Sequence, residues 1–590
     1  AVSQLYLICP LEKDNIVATK SYSALINHFV KNQGHNPTLE NPFCWGEITQ
    51  GREKEEEKIS ALLPEFKIST HWQKHLWFQI YAGENEEIAQ ARSRGLLIHD
   101  LLGEIVSEED IVPLVLNAVE KGLFRSEEIE YYNDLLHKVT SHAALEPYFK
   151  KGVIVFNEQD ILGGVYMPED GQADPVGVTN VLAKAAKMEG AKIFEKSPVT
   201  KILVKNNRIT GVETKEGKID CEYVVLATGM WSRQIGEDIG VSVPLYPNEH
   251  FYIITEPMKD LPKNLPVLRD YNDCLYLKED AGKMLVGIFE PGAKNAFKEK
   301  GIVPNDFSFG EFPDDFDHFE PYLEKSFKRL PILENAGIRK FFSGPESFTP
   351  DTQYLLGETP EVQNLYTCCG FNSIGIASSG GAGRVTAEWM INGYMNEDLY
   401  SLDIKRFQKF HASKKFIMNR VTETLGDLYG MHWPFKQHET SRDQKLLPYH
   451  DELKKAGACF GQSGEYERPM WYALNKTKPE YDYSFNYQNW YSSVEYECKN
   501  TIENVGLFEL SPFSKYEIKG ENAYEELQRL CTANIKNEVG KCTYTHMLNE
   551  GAGIETDLTV VCLEKNYFRI ISSAAVRTHD KAHILKHLSK

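Results

Sequence analysis

The sequence contains no apolar run that approaches the ~18–20 residues of a membrane-spanning helix, so we expect no membrane contact. It also lacks an excess of basic residues, since 85 Asp and Glu oppose 65 Lys and Arg, which gives a net charge of −20. That balance argues against nucleic acid as a partner, because phosphate backbones attract basic surfaces. The eleven cysteines are scattered without paired CxxC motifs, so we predict no zinc ribbon and assign no metal-binding residues.

No targeting signal is evident at the start of the sequence. No basic region precedes the apolar stretch AVSQLYLICP, and no small-residue cleavage site follows it. The adjacent Cys368 and Cys369 lie in an apolar run and are expected to be small core residues in a reducing compartment. We therefore expect a cytoplasmic protein, or one of the mitochondrial matrix if the source is eukaryotic.

The length of 590 residues predicts several domains, at roughly 100–200 residues for each domain. Residues 1–162 are rich in Glu, Lys and Leu and are expected to be mostly helical. Within them, residues 126–149 begin with Ser-Glu-Glu and continue with apolar residues at helical spacing.

From Gly163 onward the pattern changes to alternating helices and strands. Asp174-Pro175 is typical of a helix start, and the helix is expected to end near Gly190. A hairpin, TKILVKNNRITGVET, should turn at Asn206-Asn207, and the apolar strand CEYVVLATG follows it. This order of elements suits a nucleotide-binding α/β layer.

Two further regions follow along the chain. Residues 240–345 alternate strand patterns with turns and predict an antiparallel sheet that faces a substrate. In residues 365–393, a strand is followed by Gly380, Gly381 and Gly383, which we expect to form a turn before a helix. Backbone N–H groups in such a turn, together with the positive end of the helix, suit an electron-rich ring or a phosphate.

The segment CGFNSIGI, followed by GGAG and an EWM helix, resembles the carboxyl-terminal flavin motif of the sarcosine and dimethylglycine dehydrogenase family. The segments GGVYMPEDGQADP, VVLATGMWS, LPVLRD and SGPESFTPD resemble the same family. The resemblance implies a mixed α/β and α+β multidomain protein with a D-amino-acid-oxidase-like FAD domain. It places these residues at the cofactor: Val199, Thr228, Gly229, Gly370, Phe371, Asn372, Gly375, Ile376, Gly381 and Gly383.

The same resemblance identifies candidate catalytic residues. The family has a substrate-pocket histidine just before a YxxTEP strand, and NEHFYIITEP places His250 there. A nearby tyrosine, from the strand after LPVLRD, would be Tyr276. A histidine beside an amine can tune or accept a proton before hydride leaves the N-methyl carbon.

The end of the chain resembles a different fold. The segments VEYECKNTIENVGLFELSPFSKYEIKG and KCTYTHMLNEGAGIETDLTV resemble the front part of the glycine-cleavage aminomethyltransferase fold. That resemblance implies tetrahydrofolate as a second cofactor and places Asp557 beside it. We expect an incomplete FAD-dependent oxidoreductase unit at 163–388, a middle connector at 389–445 and the start of the folate domain at 446–590.

The first 162 residues depart from the family pattern. They contain no GxGxxG after a strand, so the FAD domain is expected to lack its first βαβ unit. The segments QLYLICP and SRGLLIHDLLGEI weakly resemble the C-terminal part of helicase–nucleases, where His99 would approach a metal. Without the accompanying carboxylates, His99 is better interpreted as an ordinary helix histidine.

The sequence therefore predicts FAD-dependent oxidation of an N-methyl amine such as sarcosine or dimethylglycine, with one-carbon transfer to tetrahydrofolate. The expected partners are the small-molecule amine and an electron acceptor. One alternative is a non-catalytic relative, similar to the regulatory subunit of pyruvate dehydrogenase phosphatase, or an inactive mosaic chain. Another is a fragment of a DNA-repair helicase–nuclease. No residue decides among the possible amines.

Overall fold

The computed structural model describes the chain continuously over residues 170–259, 265–474 and 477–589. It also describes residues 98, 101, 102, 105, 110–120, 123, 125–141, 160, 161, 163–167, 261 and 262. The predictions for residues 1–97 and for His99 lie outside the described residues. Within the described ranges, no helix is both long enough and apolar enough to cross a membrane.

The most N-terminal described elements are two helices, α1 (Ile111–Glu120) and α2 (Ile129–Thr140), the second preceded by a 3-10 turn at Ser126–Glu128. They pack through a small core that includes the fully buried Ile111 and Leu136. The predicted helix at 126–149 is confirmed over its described part, where it ends at Thr140.

The next elements are α3 (Pro175–Met188), β1 (Val199–Lys205), β2 (Arg208–Thr214), β3 (Gly217–Asp220), β4 (Val224–Leu226) and α4 (Ser232–Glu237). The Asp174 side chain caps α3 by accepting a hydrogen bond from the backbone N–H of Val176, so this predicted helix start is confirmed. The predicted hairpin is also confirmed, because Asn206 and Asn207 both have the positive φ of a tight hairpin turn.

Strands β1, β2 and β3 form the first sheet, in that order. The second sheet contains β5 (Tyr246–Thr255), β6 (Leu268–Asp270), β7 (Leu275–Asp280), β8 (Lys283–Ile288) and β9 (Ile338–Phe348), and helix α5 (Phe316–Arg329) covers it. The strand order is β6-β7-β8-β5-β9, and every neighbouring pair is antiparallel. The predicted antiparallel sheet at 240–345 is thereby confirmed. Its core lies between the sheet and α5, with Phe251 and Phe319 fully buried.

A short third sheet contains β10 (Leu355–Glu358), β11 (Leu365–Cys369) and β4, and α6 (Gly375–Asn392) follows it. Strand β11 runs parallel to β4 and antiparallel to β10. The prediction that Gly380, Gly381 and Gly383 form a turn before a helix is wrong, because all three lie inside α6. The chain has already turned at 370–373, so the helix begins before these glycines.

The middle of the chain contains α7 (Lys414–Asp427), α8 (His450–Lys455), β12 (Ala458–Ser463), β13 (Tyr466–Tyr472) and α9 (Tyr491–Glu503). Helix α7 packs against the second sheet through the fully buried Ile417, Val421 and Leu425. This contact fixes the connector region to the predicted substrate-facing sheet.

The C-terminal part contains β14 (Ser514–Lys519), α10 (Ala523–Leu530), β15 (Cys542–Leu548), β16 (Ile554–Glu564), β17 (Tyr567–Ser572) and α11 (Arg577–His587). Its four-stranded antiparallel sheet has the order β14-β17-β16-β15. Helix α11 attaches this part to the rest of the chain: Lys586 Nζ donates to the carbonyl oxygen of Gly393 at 3.1 Å and to Glu358 Oε2 at 3.2 Å.

Candidate active site

Two predicted cofactor segments meet at one edge of the third sheet. Strands β4 and β11 are parallel neighbours, so their carboxyl ends lie side by side, which is where open α/β sheets bind ligands. Thr228 and Gly229 follow β4, and the segment 370–373 follows β11. Thr228 Oγ1 lies 2.8 Å from Ser232 Oγ, and this hydrogen bond fixes the turn after β4.

The turn at 370–373 is held in one conformation by Asn372. Gly370, Asn372 and Ser373 have φ values of 69°, 48° and 66°. Asn372 is buried, and its Oδ1 accepts from the backbone N–H of Thr349 at 2.9 Å. Its Nδ2 donates to the Gly370 carbonyl at 2.6 Å, while Phe371 stacks on Tyr354 at 4.7 Å between ring centroids. A rigid turn of this kind can present backbone groups to a ligand.

Helix α6 begins directly after this turn. Its N-cap residue, Ile374, has no side chain that can accept a hydrogen bond, so no side chain caps the first N–H groups at Gly375 and Ile376. These donors and the positive end of the helix suit an electron-rich oxygen or ring edge. The residues present therefore fit the ring end of a flavin.

Three glycines on α6 leave an open helix surface. Gly380, Gly381 and Gly383 are exposed, and a Cβ added at any of them would have no heavy atom within 4 Å apart from the backbone of the helix itself and its chain neighbours. Glycine inside a helix costs about 1 kcal/mol relative to alanine, so three of them are an unfavourable choice for helix stability alone. They allow another group to approach the helix backbone closely.

The predicted catalytic pair is formed in the second sheet. His250 lies within β5, whose first residue is four positions before it, whereas the motif placed His250 just before the strand; Tyr276 lies on β7. His250 Nε2 is 3.0 Å from the Tyr276 hydroxyl, and the two rings are parallel, with 5.9 Å between centroids. Burial holds the pKa of the Tyr276 hydroxyl well above its usual range, so the phenol stays protonated.

The surroundings of His250 leave one ring nitrogen unused. Its Nδ1 is buried and has no hydrogen-bond partner among the described residues. Phe289 packs against the His250 ring, with 4.8 Å between centroids. A buried, unpaired nitrogen is costly unless a ligand or water satisfies it, so this atom is a candidate for proton exchange with a bound molecule.

His250 opens onto a cavity of about 460 Å³. Four aromatic residues line it, Trp231, Phe307, Phe309 and Phe342. Glu346, on β9, contributes the carboxylate of the lining. Glu346 Oε2 accepts a hydrogen bond from Ser373 Oγ at 2.6 Å, which joins the second sheet to the turn at 370–373.

Sequence reasoning did not single out Glu346. The residue stands in SGPESFTPD, a segment quoted only for its family resemblance. The sequence did carry a signal, because Glu346 is the one charged residue of SGPESF and stands two positions before the buried Phe348. Its role becomes visible only when β9 pairs with β5, which sets Gly344 opposite His250.

Two predicted site residues lie elsewhere. Val199 is the first residue of β1, the strand that pairs with β2, and its side chain is exposed. Asp557 lies on β16 of the C-terminal sheet, exposed and paired across the strands with His546. Tyr544 Oη donates to Asp557 Oδ2 at 3.1 Å, so Asp557 belongs to a separate polar surface on that sheet.

Comparison with protein families gives matches along most of the chain. Residues 56–389 match the family described as FAD dependent oxidoreductase. Residues 392–446 match the FAD dependent oxidoreductase central domain, and residues 449–590 match the GCVT N-terminal domain. The first match begins inside the segment 1–162, for which the helicase–nuclease likeness stays a prediction.

Curated relatives match across most of this chain. It is 37% identical over 470 residues to a 4-methylaminobutanoate oxidase (formaldehyde-forming) of Paenarthrobacter nicotinovorans, covering 79% of this chain and 57% of that protein. It is 34% identical to the mouse pyruvate dehydrogenase phosphatase regulatory subunit, and the match covers 74% of this chain and 50% of that protein. It is 32% identical to human sarcosine dehydrogenase, and the match covers 76% of this chain and 53% of that protein.

The chain thus spans about half of the length of these relatives. The family model, by contrast, matches more than half of this chain, including the second and third sheets and the whole of α3. From these matches, we conclude that the chain belongs to the FAD-dependent oxidoreductase family.

Proposed function

We propose that this chain takes part in FAD-dependent oxidation of an N-methyl amine such as sarcosine, dimethylglycine or 4-methylaminobutanoate. The observation that carries the proposal is the cavity that His250 shares with the Glu346 carboxylate, beside the turn at 370–373. Relatives named as a 4-methylaminobutanoate oxidase and a sarcosine dehydrogenase support the substrate class.

The cavity suits an amine that arrives as a cation. Aromatic faces attract a cationic nitrogen and keep water away from it, and four aromatic side chains line the cavity. Glu346 supplies a negative charge next to these rings, and Ser373 fixes one of its oxygens. In this proposal Glu346 pairs with the substrate ammonium and orients the N-methyl group.

His250 is the proposed proton acceptor. When its Nε2–H donates to the Tyr276 hydroxyl, the lone pair lies on the buried and unpaired Nδ1. That nitrogen can take the proton from the substrate ammonium, which makes the amine electron-rich enough to lose hydride. Tyr276 holds the imidazole ring in place through the same hydrogen bond.

The ring end of FAD would be held by Thr228, Gly229, the turn at 370–373 and the first residues of α6, Gly375 and Ile376. Gly381 and Gly383 would allow close approach along the exposed face of α6, and Val199 would meet the adenine end. When bound, FAD supplies the hydride acceptor for the N-methyl carbon. An external electron acceptor is then needed to reoxidise it.

We further propose that the C-terminal part captures the one-carbon product on tetrahydrofolate, with Asp557 beside the folate nitrogen. The support is the match of residues 449–590 to the GCVT N-terminal domain and the exposed Tyr544–Asp557 pair. This proposal divides the chain into an oxidoreductase unit at 163–388, a connector at 389–445 and a folate unit at 446–590.

The test uses the purified full chain incubated with FAD and then freed of unbound flavin. We expect retained flavin absorption and its bleaching under anaerobic conditions by at least one of sarcosine, dimethylglycine and 4-methylaminobutanoate. A chain that retains no flavin would contradict the proposal for this chain. Because free formaldehyde also condenses with tetrahydrofolate in solution, the folate step is supported if added tetrahydrofolate lowers formaldehyde release more for the unmodified chain than for Asp557→Asn, and an equal fall contradicts it.

A second candidate function is a non-catalytic regulatory role. The similarity to the pyruvate dehydrogenase phosphatase regulatory subunit, at 34% identity, lies in the same range as the similarity to the enzymes. Retained flavin that none of the three amines bleaches would favour this role over catalysis.

A further inference from the structure

A second group of charged side chains lies outside the candidate active site, on helix α7 and the loop after it. Glu423 and Asp427 are four residues apart on α7, so their side chains share one face of the helix. His438 approaches them from the loop, and one side-chain atom from each of the three residues lies within 4.8 Å of the others.

The distances within this group exceed those of direct charge-assisted hydrogen bonds. His438 Nδ1 lies 3.4 Å from Asp427 Oδ2 and 3.6 Å from Glu423 Oε1. Hydrogen bonds between a cationic nitrogen and a carboxylate are about 2.7–2.9 Å long. Two ligands of one tetrahedral Zn²⁺, each about 2.1 Å from the metal, are about 3.4 Å apart. The two distances from His438 are therefore close to the spacing of ligands that share one cation, and the three ligand atoms all lie within 4.8 Å of one another.

The carboxylates are held in position by other partners. Glu423 accepts from the backbone N–H groups of Glu439 and Thr440, both at 2.9 Å. Asp427 Oδ1 accepts from Lys436 Nζ at 2.5 Å, so Asp427 Oδ2 is left on the side of His438. Partners of this kind orient the ligands of protein metal sites and are part of how such sites are built.

Cations surround the two carboxylates of the group. Lys436 pairs with Asp427, and Arg420, on the same helix, interacts electrostatically with Glu423. Burial opposes the imidazolium, but the two carboxylates raise the pKa of His438 above its usual value. A divalent metal would take the place of the imidazole proton between the two carboxylates.

The group also opens onto a cleft. Glu423 and Asp427 form part of the lining of a cleft of about 870 Å³, together with Tyr429, Trp433 and Phe485. The side chain of His438 is about one-third exposed. Two of the three ligands line the cleft, so a metal held by all three would have one coordination position left for water or a substrate atom, as in catalytic rather than structural zinc sites.

We propose that Glu423, Asp427 and His438 bind a divalent transition metal of the zinc class, with one coordination position open to the cleft. The imidazole ligand favours zinc-class metals over Mg²⁺ or Ca²⁺, which prefer larger sets of oxygen ligands. The site is separate from His250 and Glu346 and does not depend on bound flavin.

The test titrates Zn²⁺ into the full chain by calorimetry and records the visible spectrum after Co²⁺ is added instead. We expect one zinc equivalent and the intense visible bands of tetrahedral Co²⁺ with oxygen and nitrogen ligands. Co²⁺ bands that show thiolate coordination would overturn the proposal, because they would place the metal on cysteine. Absence of stoichiometric zinc binding would overturn it as well.

Substitutions then assign the ligands. His438→Gln and Asp427→Asn should each weaken zinc binding by about tenfold or more. His432→Gln is the matched control, because His432 lines the same cleft without belonging to the group, and it should leave zinc binding unchanged. Unchanged affinity in folded His438→Gln would overturn the assignment. If that variant does not fold, the Co²⁺ spectrum of the unmodified chain decides.

Discussion

The ring of Tyr276 lies so close to the backbone of Gly287 that a Cβ on residue 287 would be 2.0 Å from Tyr276 Cζ. The two residues are direct partners on the paired strands β7 and β8. Only a residue without a side chain lets the tyrosine ring cover this position. The contact fixes the ring that holds His250.

Gly287→Ala should therefore displace Tyr276 and release His250 from its hydrogen bond. We expect a loss of about 1–3 kcal/mol in the free energy of unfolding, because the added methyl overpacks a buried site. Urea denaturation measures this loss. Gly171→Ala is the control, since nothing lies within 4 Å of a Cβ there, and it should be neutral. Equal stability of both variants would contradict the packing described for Tyr276.

Glu346→Gln should weaken binding of a cationic N-methyl amine. A lost charge-assisted contact costs about 1.5–3 kcal/mol, which corresponds to about 10–100-fold in affinity. The change is measured by titrating sarcosine and dimethylglycine against the spectrum of the flavin-loaded chain. Glu249→Gln is the matched control, because neighbouring residues on β5 point to opposite faces of the sheet and Glu249 stands next to His250. The proposed role of Glu346 fails if both variants bind the amines alike.

Asn372→Asp should destabilise the turn at 370–373 while keeping its backbone conformation, since both residue types tolerate positive φ. The aspartate keeps the acceptor for Thr349 but loses the donor to the Gly370 carbonyl and adds a buried charge. We expect a loss of about 3 kcal/mol in the free energy of unfolding. Asn207→Asp is the control, because Asn207 is exposed and also has positive φ. It should change the free energy of unfolding by no more than about 0.5 kcal/mol.

His579 predicts a pH dependence of stability. Its ring nitrogens lie 2.9 Å from Glu555 Oε2 and 3.3 Å from Asp580 Oδ1. Although burial opposes the charge, these two carboxylates raise the pKa of His579 to about 9. A raised pKa means that the imidazolium stabilises the fold fully below its unfolded pKa of about 6.5, and that this stability is lost as pH rises through about 9.

The expected stabilisation from His579 is about 3 kcal/mol at pH 6. Denaturation curves at pH 6 and pH 9.5 should differ more for the unmodified chain than for His579→Gln. The substitution removes the titrating group but leaves a side chain that can donate one hydrogen bond. If both proteins lose the same stability between these pH values, His579 is not the group responsible.

Local sequence signals predicted the elements that depend on short-range chemistry. The cap at Asp174, the hairpin turn at Asn206-Asn207 and the alternating pattern of β5 each depend on the residues within the element itself. The antiparallel sheet also followed from its turns and strand patterns. The family motif gave His250 and Tyr276, and the structure brings them within hydrogen-bond distance.

Features that depend on distant contacts were not predictable in this way. The glycines 380, 381 and 383 are usual turn residues, but packing of the other face of α6, including Trp389, keeps them helical. Glu346 becomes a cavity residue only through pairing of β9 with β5. His438 meets Glu423 through the path of a loop, which no periodicity in the sequence describes.

The length of helix α6 has a mechanical consequence. Its 18 residues extend for about 27 Å, from the turn fixed by Ser373 and Glu346 to Gly393, whose carbonyl accepts from Lys586 of the C-terminal helix. A helix of this length moves as a stiff rod. A shift of the C-terminal sheet against one end would therefore be passed to the N–H groups at the other, so α6 is one of the elements that link the C-terminal sheet to the turn at 370–373.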